Sequence, residues 1–248
     1  MAYMFDVNVG GFVRRQLQRL DRNNNVRDAA VARWAGSLPP GSTVLDVGAA
    51  SMKYGGLFAH CRYLAQDHPD VTYGPRDGEL IRSDITSIPL PSGSVDAILC
   101  TEVLEHVEQP LVAIEEFSRL LRAGGRLMLT VPSACRVHRV PTHYYSGYAP
   151  DFFERSLPAR GIRLDALVPI GNWSAYMAQE LGRVPDVLRH SKFPPGVRDA
   201  MAAFAWPVFR LAVPLGFLAF APFDTSTELP LGWIAYATRL PANGPAGT

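Results

Sequence analysis

The sequence lacks several things, and each absence narrows what the chain does. It has three cysteines, Cys61, Cys100 and Cys135, an odd number with no metal-like spacing. That excludes a disulfide framework and makes a reducing cytoplasm the expected compartment. It has no charge of either sign to spare: 24 basic residues stand against 23 acidic ones, for a net charge of +1. Nucleic acid is therefore not expected as the partner, because a polyanion is held by a basic excess. No apolar run followed by a cleavage site opens the chain, so no signal peptide is expected. There is no internal repeat and no low-complexity tract. No histidine pairs with an acid at metal-ligand spacing, so no metal is expected.

The turn after the first apolar strand also lacks glycine. In "TVLDVGAASMKYGG" Gly48 stands where a ligand turn needs it, but Ala50 and Met52 fill the next positions. A pyrophosphate needs a helix N-terminus held close by glycines. Met52 and Lys53 crowd that place, which argues against a nicotinamide dinucleotide.

What is present is a strong alternation of strands and helices. Residues 10–22 and 25–36 read as two helices, the second stopping at Gly36 and "LPPG". "STVLDVG", "CRYLAQD", "LIRSDI", "SVDAILC" and "RLMLTVP" read as five strands. Residues 162–171 and 231–240 read as a sixth and seventh. "GGLFAH" and "PLVAIEEFSRLLRAGG" read as helices, the latter running to its double glycine. Stacked βαβ units of this kind predict a doubly wound parallel sheet, with ligands beyond the carboxyl ends of its strands. Gly48, Asp67, Asp84, Thr101 and Glu102 all fall at those ends. Asp67, 19 residues after Gly48, is placed to accept two ribose hydroxyls.

Four strings in order carry a resemblance. "VLDVG", "YLAQD", "SDITSIPLPSGSVDAILCTEVLEHVEQP" and "SRLLRAGGRLMLTVP" resemble the motifs of the class I S-adenosylmethionine-dependent methyltransferases, type 11 branch. The resemblance runs from about Val26 to Gly161 and resumes at the last strand. It implies an α/β, Rossmann-like seven-stranded sheet of order 3-2-1-4-5-7-6, the last strand antiparallel. The expected organisation is one methyltransferase domain over 1–248. N-terminal helices occupy 1–38, and a helical insert or lid occupies 172–230 between the last two strands. S-adenosylmethionine is the implied cofactor. Its implied contacts are Asp46, Gly48, Ala49, Ala50, Asp67, Ser83, Asp84, Ile85, Thr101, Glu102 and His106. Asp84 takes the adenine amino group in this reading, and Thr101 and Glu102 meet the methionine moiety. The sulfonium ligand carries no phosphate, so it tolerates Ala50 and Met52.

The loop after the fifth strand, "SACRVHRVPTHYYSGYAP", is where such proteins build an acceptor pocket. It supplies His138 and His143, which with His106 are the candidate catalytic bases, since imidazole is suited to work near pH 7. Arg136, Tyr144, Tyr145 and Tyr148, with Trp173 from the insert, are the candidate substrate contacts. The expected reaction is in-line methyl transfer to a hydroxyl of a sugar, glycan or secondary metabolite. The alternative is a catalytically silent S-adenosylmethionine-binding or scaffold protein.

Residues 202–223, "AAFAWPVFRLAVPLGFLAFAPF", carry one charge, Arg210, and three prolines. The prolines predict two short helices broken near Pro214. Their expected roles are a buried helical subdomain between the last two strands, a lid on the pocket, a homodimer contact or a peripheral contact with a membrane surface.

Overall fold

The computed structural model describes residues 22–49, 51–70, 80–138 and 141–241. The helix expected over 10–22 lies outside them, save its last residue, and so does Ala50. The chain divides into two compact units. A sheet unit is formed by 30–169 and 232–248, and a helical unit by 1–29 and 170–231.

The sheet has seven strands: β1 (Thr43–Val47), β2 (Arg62–Asp67), β3 (Leu80–Arg82), β4 (Val95–Thr101), β5 (Leu121–Pro132), β6 (Ile162–Ile170) and β7 (Gly232–Arg239). Their order is β3-β2-β1-β4-β5-β7-β6, as expected. β1 pairs parallel with β2 and β4, β2 with β3, and β4 with β5, while β5 and β7 run antiparallel. Strands buried on both faces read as unbroken apolar runs. Ala97, Ile98, Leu99 and Cys100 of β4 are all fully buried.

Helix α1 (Arg22–Gly36) precedes the sheet, and α2 (Pro110–Leu120) joins β4 to β5. Pro110 opens α2, where its missing N–H costs nothing and its fixed φ suits a first turn. Ala113, Ile114, Phe117 and Leu120 then recur on one face and are fully buried in the sheet's core. Burying such a side chain stabilises by about 1.5–3 kcal/mol each.

Two local readings need correction. The helix in "PLVAIEEFSRLLRAGG" ends at Leu120, before the double glycine, because Leu121 is already extended and pairs with Val95. The glycines instead bend β5. Gly124 has φ +76, and a Cβ on Gly125 would meet the Arg122 carbonyl oxygen at 2.8 Å. "GGLFAH" forms only one turn of 3-10 helix, Gly55–Phe58. After β5, helix α3 (Pro150–Ser156) leads into β6.

In the helical unit, α4 (Trp173–Leu181) is capped by Asn172, whose side chain accepts from the Ala175 N–H. The Asn172 amide also donates to the carbonyls of Ala221 and Asp224, at 2.7 and 2.8 Å. Asp224 accepts from both the N–H and the hydroxyl of Ser174, and these bonds, with two from Ser226, hold its carboxyl well below the usual range. After α5 (Val184–Arg189) come α6 (Pro195–Pro207) and α7 (Val213–Phe220). The expected break near Pro214 does not occur. Pro207 and Pro214 each remove a donor, and between them Val208–Ala212 widens to a π turn, with the Val213 N–H bonding to the Val208 carbonyl. The helical run therefore continues for 29 residues, Pro195–Phe223. By length and composition it could cross a membrane. Its most apolar window has a mean hydropathy of 1.6, and 6% of that window is buried.

Candidate active site

The strand registers bring the expected residues to one rim. Val47 lies opposite Gln66 and Cys100, so Gly48 emerges level with Asp67 on one side and Thr101 on the other. Asp67 lies opposite Arg82, which sets Ser83 and Asp84 just beyond β3. These positions are the carboxyl ends of four adjacent parallel strands, where open α/β sheets bind ligands.

The rim is built for close approach of backbone. Gly48 has φ +68, and a Cβ there would meet Val103 Cγ2 at 2.3 Å. Among the described residues Glu102 is one of two non-glycine residues with positive φ, at 53°. Such a conformation persists only where its surroundings impose it. Here the Glu102 N–H donates to the Thr130 carbonyl at 2.9 Å, and its Oε1 accepts from the Thr130 hydroxyl at 3.2 Å. The other is Met52, at φ 51, in a turn closed by its N–H on the Ala49 carbonyl. Lys53 Nζ sits over the Tyr54 ring, 5.0 Å from its centroid.

The acids of the rim differ. Asp67 is half-buried, with Oδ1 accepting the His68 N–H. Asp84 is exposed and closes a turn, Oδ1 accepting the N–H and hydroxyl of Thr86 at 2.8 and 2.6 Å. Those two bonds hold its carboxyl below the usual range. Ile85 is half-buried against the core. Ser83 turns inward, its carbonyl and hydroxyl accepting from the Gln66 amide. Ala49 is buried, its N–H spent on the Gln66 carbonyl.

Asp46, two residues before Gly48, is 2% exposed, and its Oδ2 accepts the Tyr63 hydroxyl at 2.7 Å. Burial pushes its carboxyl up to about 7, with the Tyr63 bond opposing and the Asp67 charge adding. Tyr63 was not legible as its partner from sequence, because the two meet only through the β1–β2 pairing.

The loop after β5 is tied down at several points. The N–H groups of Tyr144 and Tyr145 donate to the Glu105 carbonyl at 3.0 and 3.2 Å. The Tyr148 N–H donates to the Pro132 carbonyl at 3.0 Å. Gly147 makes the closure feasible: its φ is +156, and a Cβ would sit 2.0 Å from the Ser133 carbonyl oxygen. Tyr148 is not a substrate contact. It is 6% exposed in the core, its hydroxyl donating to the Leu104 carbonyl at 2.7 Å. Tyr144 and Tyr145 both remain exposed, rather than one packing inward, and the Tyr145 hydroxyl donates to the Glu108 carbonyl. Arg136 is exposed. Trp173 belongs to the helical unit, where it packs edge-on against Phe217.

His106, His138 and His143 meet. The ring centroids of His106 and His138 are 4.7 Å apart, those of His138 and His143 4.8 Å, and those of His106 and His143 5.9 Å. Burial, then the neighbouring His138, holds His143 below the usual imidazole pKa. A separate cleft of about 310 Å³ is lined by Arg33, Trp34, Arg126, Asp165 and Tyr236 among others, and contains none of the rim residues.

Residues 56–129 match the family model of the methyltransferase domain, and the sheet has the strand order of the class I S-adenosylmethionine-dependent methyltransferase fold. The chain is 34% identical over 110 residues to a tRNA (carboxymethyluridine(34)-5-O)-methyltransferase of Arabidopsis thaliana, covering 42% of this chain and 27% of that protein. It is 30% identical over 135 residues to a 2-methyl-6-phytyl-1,4-hydroquinone methyltransferase of Synechocystis sp., covering 47% of this chain and 41% of that one. The chain thus spans less than half the length of these curated relatives. The structure of a geranyl diphosphate methyltransferase in complex with S-adenosylmethionine superposes with a TM-score of 0.56 at 13% identity, over 96% of this chain and 94% of that one. The cofactor of the class is S-adenosylmethionine, and the rim fits it. Gly48 keeps the first turn clear of side chain, and carboxylates end β2 and follow β3.

Proposed function

We propose that the protein methylates a hydroxyl of a small molecule, in the class of a sugar, glycan or secondary metabolite. The observation that carries this reading is the histidine-bearing loop after β5, anchored beside the end of β4 through Glu105 and Leu104. S-adenosylmethionine, when bound, supplies an electrophilic methyl on a sulfonium that is already a good leaving group. Asp67 would hold the ribose hydroxyls. Asp84, with Oδ2 left after Oδ1 binds Thr86, would take the adenine amino group, and the Ile85 backbone would meet the ring edge. The Gly48, Thr101 and Glu102 backbone would meet the methionine end.

The acceptor side needs a group that takes a proton near pH 7. His143 has Nε2 3.4 Å from the Ser146 hydroxyl, and its buried Nδ1 has no hydrogen-bond partner. With Nε2–H donating to Ser146, the lone pair is at Nδ1. The lowered pKa keeps the ring neutral, and so able to accept the proton, at pH 7. Tyr144 and Tyr145 would flank the acceptor. A near-neutral chain favours a small acceptor over tRNA, although one relative's name specifies a tRNA substrate.

Calorimetric titration with S-adenosylmethionine and its demethylated product, beside Asp67→Ala, tests the cofactor site. Binding lost in the variant supports it. Mass spectrometry of a pool of hydroxylated acceptors tests the transfer. His143→Ala should lower turnover by about 10²–10⁴-fold while leaving cofactor affinity nearly unchanged. Cofactor binding with no methylated product would favour the silent binding protein.

The exposed apolar run of the helical unit supports a peripheral contact with a lipid surface. Phe204 and Phe223 are 82% and 78% exposed. Such side chains, with Arg189, Lys192 and Arg198 nearby in sequence, suit an anionic interface.

A further inference from the structure

The three histidines that meet where the turn after β4 faces the loop after β5 have a second chemical capacity that their sequence spacing conceals. His106 ends a 3-10 turn after β4, while His138 and His143 lie beyond β5. One nitrogen from each ring can be chosen so that all three lie within 4.8 Å of one another. Their tautomers follow from their partners. His106 Nδ1 is 2.6 Å from the Thr142 carbonyl oxygen, and His138 Nδ1 is 2.9 Å from that of Arg136. A carbonyl cannot donate, so in both neutral rings Nδ1 carries the proton and Nε2 carries the lone pair. In His143 the ring nitrogen facing Ser146 is Nε2, and the buried nitrogen with no hydrogen-bond partner is Nδ1.

This is the arrangement by which metal-binding imidazoles are oriented: the second nitrogen donates to a backbone carbonyl and the first points its lone pair at the ion. A buried ring nitrogen that makes no hydrogen bond is costly to the fold, and a bound cation would satisfy it. The local charge also suits a cation. Glu105, 1% exposed, places Oε1 3.9 Å from His106 Nε2. A Zn–N bond of about 2.0–2.1 Å sets tetrahedral ligand nitrogens roughly 3.4 Å apart, so modest ring rotations close the site. Three neutral imidazoles select a borderline transition ion over the oxygen-seeking magnesium or calcium.

We propose that His106 Nε2, His138 Nε2 and His143 Nδ1 form a binding site for one divalent transition-metal ion, zinc in the first instance, with at least one coordination position left for an oxygen ligand. The ion-binding claim stands apart from the transferase reading. Its link to catalysis rests on that reading: with the ion bound no imidazole lone pair remains for base work. An acceptor hydroxyl coordinated there would then release its proton to water, and His143 would act as base only in the metal-free form.

The test uses the tag-free 248-residue chain stripped with chelator. Zn²⁺ is titrated calorimetrically and Co²⁺ by its visible absorption. The expected result is one ion per chain, with binding weakened at least about tenfold, the lower end of what loss of a supporting partner costs at such sites, in His138→Ala and in His143→Ala. His60→Ala, an exposed histidine elsewhere, should bind as wild type. Asp67→Ala should keep the ion while losing S-adenosylmethionine, which separates failure of this proposal from failure of the cofactor assignment. Should either histidine variant not fold, X-ray absorption of the zinc-loaded wild type decides, with three imidazoles in the first shell expected. No stoichiometric ion, unchanged binding in both variants, or two or fewer imidazoles at the metal would overturn the proposal.

Discussion

Replacing Asp46 with asparagine isolates a cost the fold carries at its first cofactor motif. The carboxyl is buried in β1 with one good partner, the Tyr63 hydroxyl. Burial pushes it from an ordinary 3.8 up to about 7. One pKa unit is worth about 1.4 kcal/mol, so ionising Asp46 in the folded protein costs up to ~4 kcal/mol, less whatever relaxation recovers. The sign follows from proton binding. Between 3.8 and about 7 the folded state holds a proton that the unfolded state has lost. The stability Asp46 contributes is therefore full below 3.8, falls across that window, and is gone above about 7. Asparagine keeps an oxygen for Tyr63 but has no proton to lose. The variant's advantage in unfolding free energy should therefore grow by roughly 2–3 kcal/mol between pH 5 and pH 8. Urea unfolding would measure it, by fluorescence in a Trp173→Phe, Trp206→Phe background, so that Trp34 and Trp233 report the sheet unit. Two stability curves that run parallel in pH would refute the reasoning, since Asp46 would then be ionised in the fold without penalty.

Other perturbations should behave as follows. Gly48→Ala should cost about 1–2 kcal/mol for the left-handed backbone, plus the displacement of Val103. Thermal melts should show Val103→Ala recovering only the second part, and cofactor affinity should fall in the single variant. Glu116→Gln should destabilise by about 1–3 kcal/mol, because Glu116 Oε1 accepts the Ile88 N–H at 2.7 Å and also binds Arg119. Those partners hold its carboxyl low against the opposing effect of burial. The stability it contributes is present above its unfolded 4.5 and lost as pH falls through the lower folded value, so acid should narrow the gap between variant and wild type. Phe204→Ser with Phe223→Ser should reduce co-flotation with anionic vesicles without lowering the melting temperature. Equal flotation would remove the lipid contact.

The rim strands β1, β2, β3 and β4 were legible because each is a short run closed, at or just past its end, by a glycine, an acid or a polar residue: Gly48, Asp67, Ser83 and Thr101. A parallel sheet turns that shared ending into a shared rim. Gly48, Asp67, Asp84 and Glu102 could be placed on that rim in advance, since a place on it depends only on position along a strand. Other residues were not legible. Tyr148 has the same composition signal as Tyr144 and Tyr145, yet only the loop's closure at Gly147 turns it onto Leu104. Leu121 reads as helix until its pairing with Val95 outweighs helical continuation.

The sequence by itself thus determined the strands and the rim where their polar ends gather, because these follow from periodicity, while the sheet order and the class of cofactor came through the resemblance of four motifs in order. Only the tertiary structure decided that Asp46 answers to Tyr63. It alone decided that the prolines of the helical unit are absorbed by a π turn. It also brought together His106, His138 and His143, which are separated by 32 and by 5 positions. Backbone hydrogen bonds from two loops aim those rings at one point, and nothing in a linear spacing encodes where two loops cross.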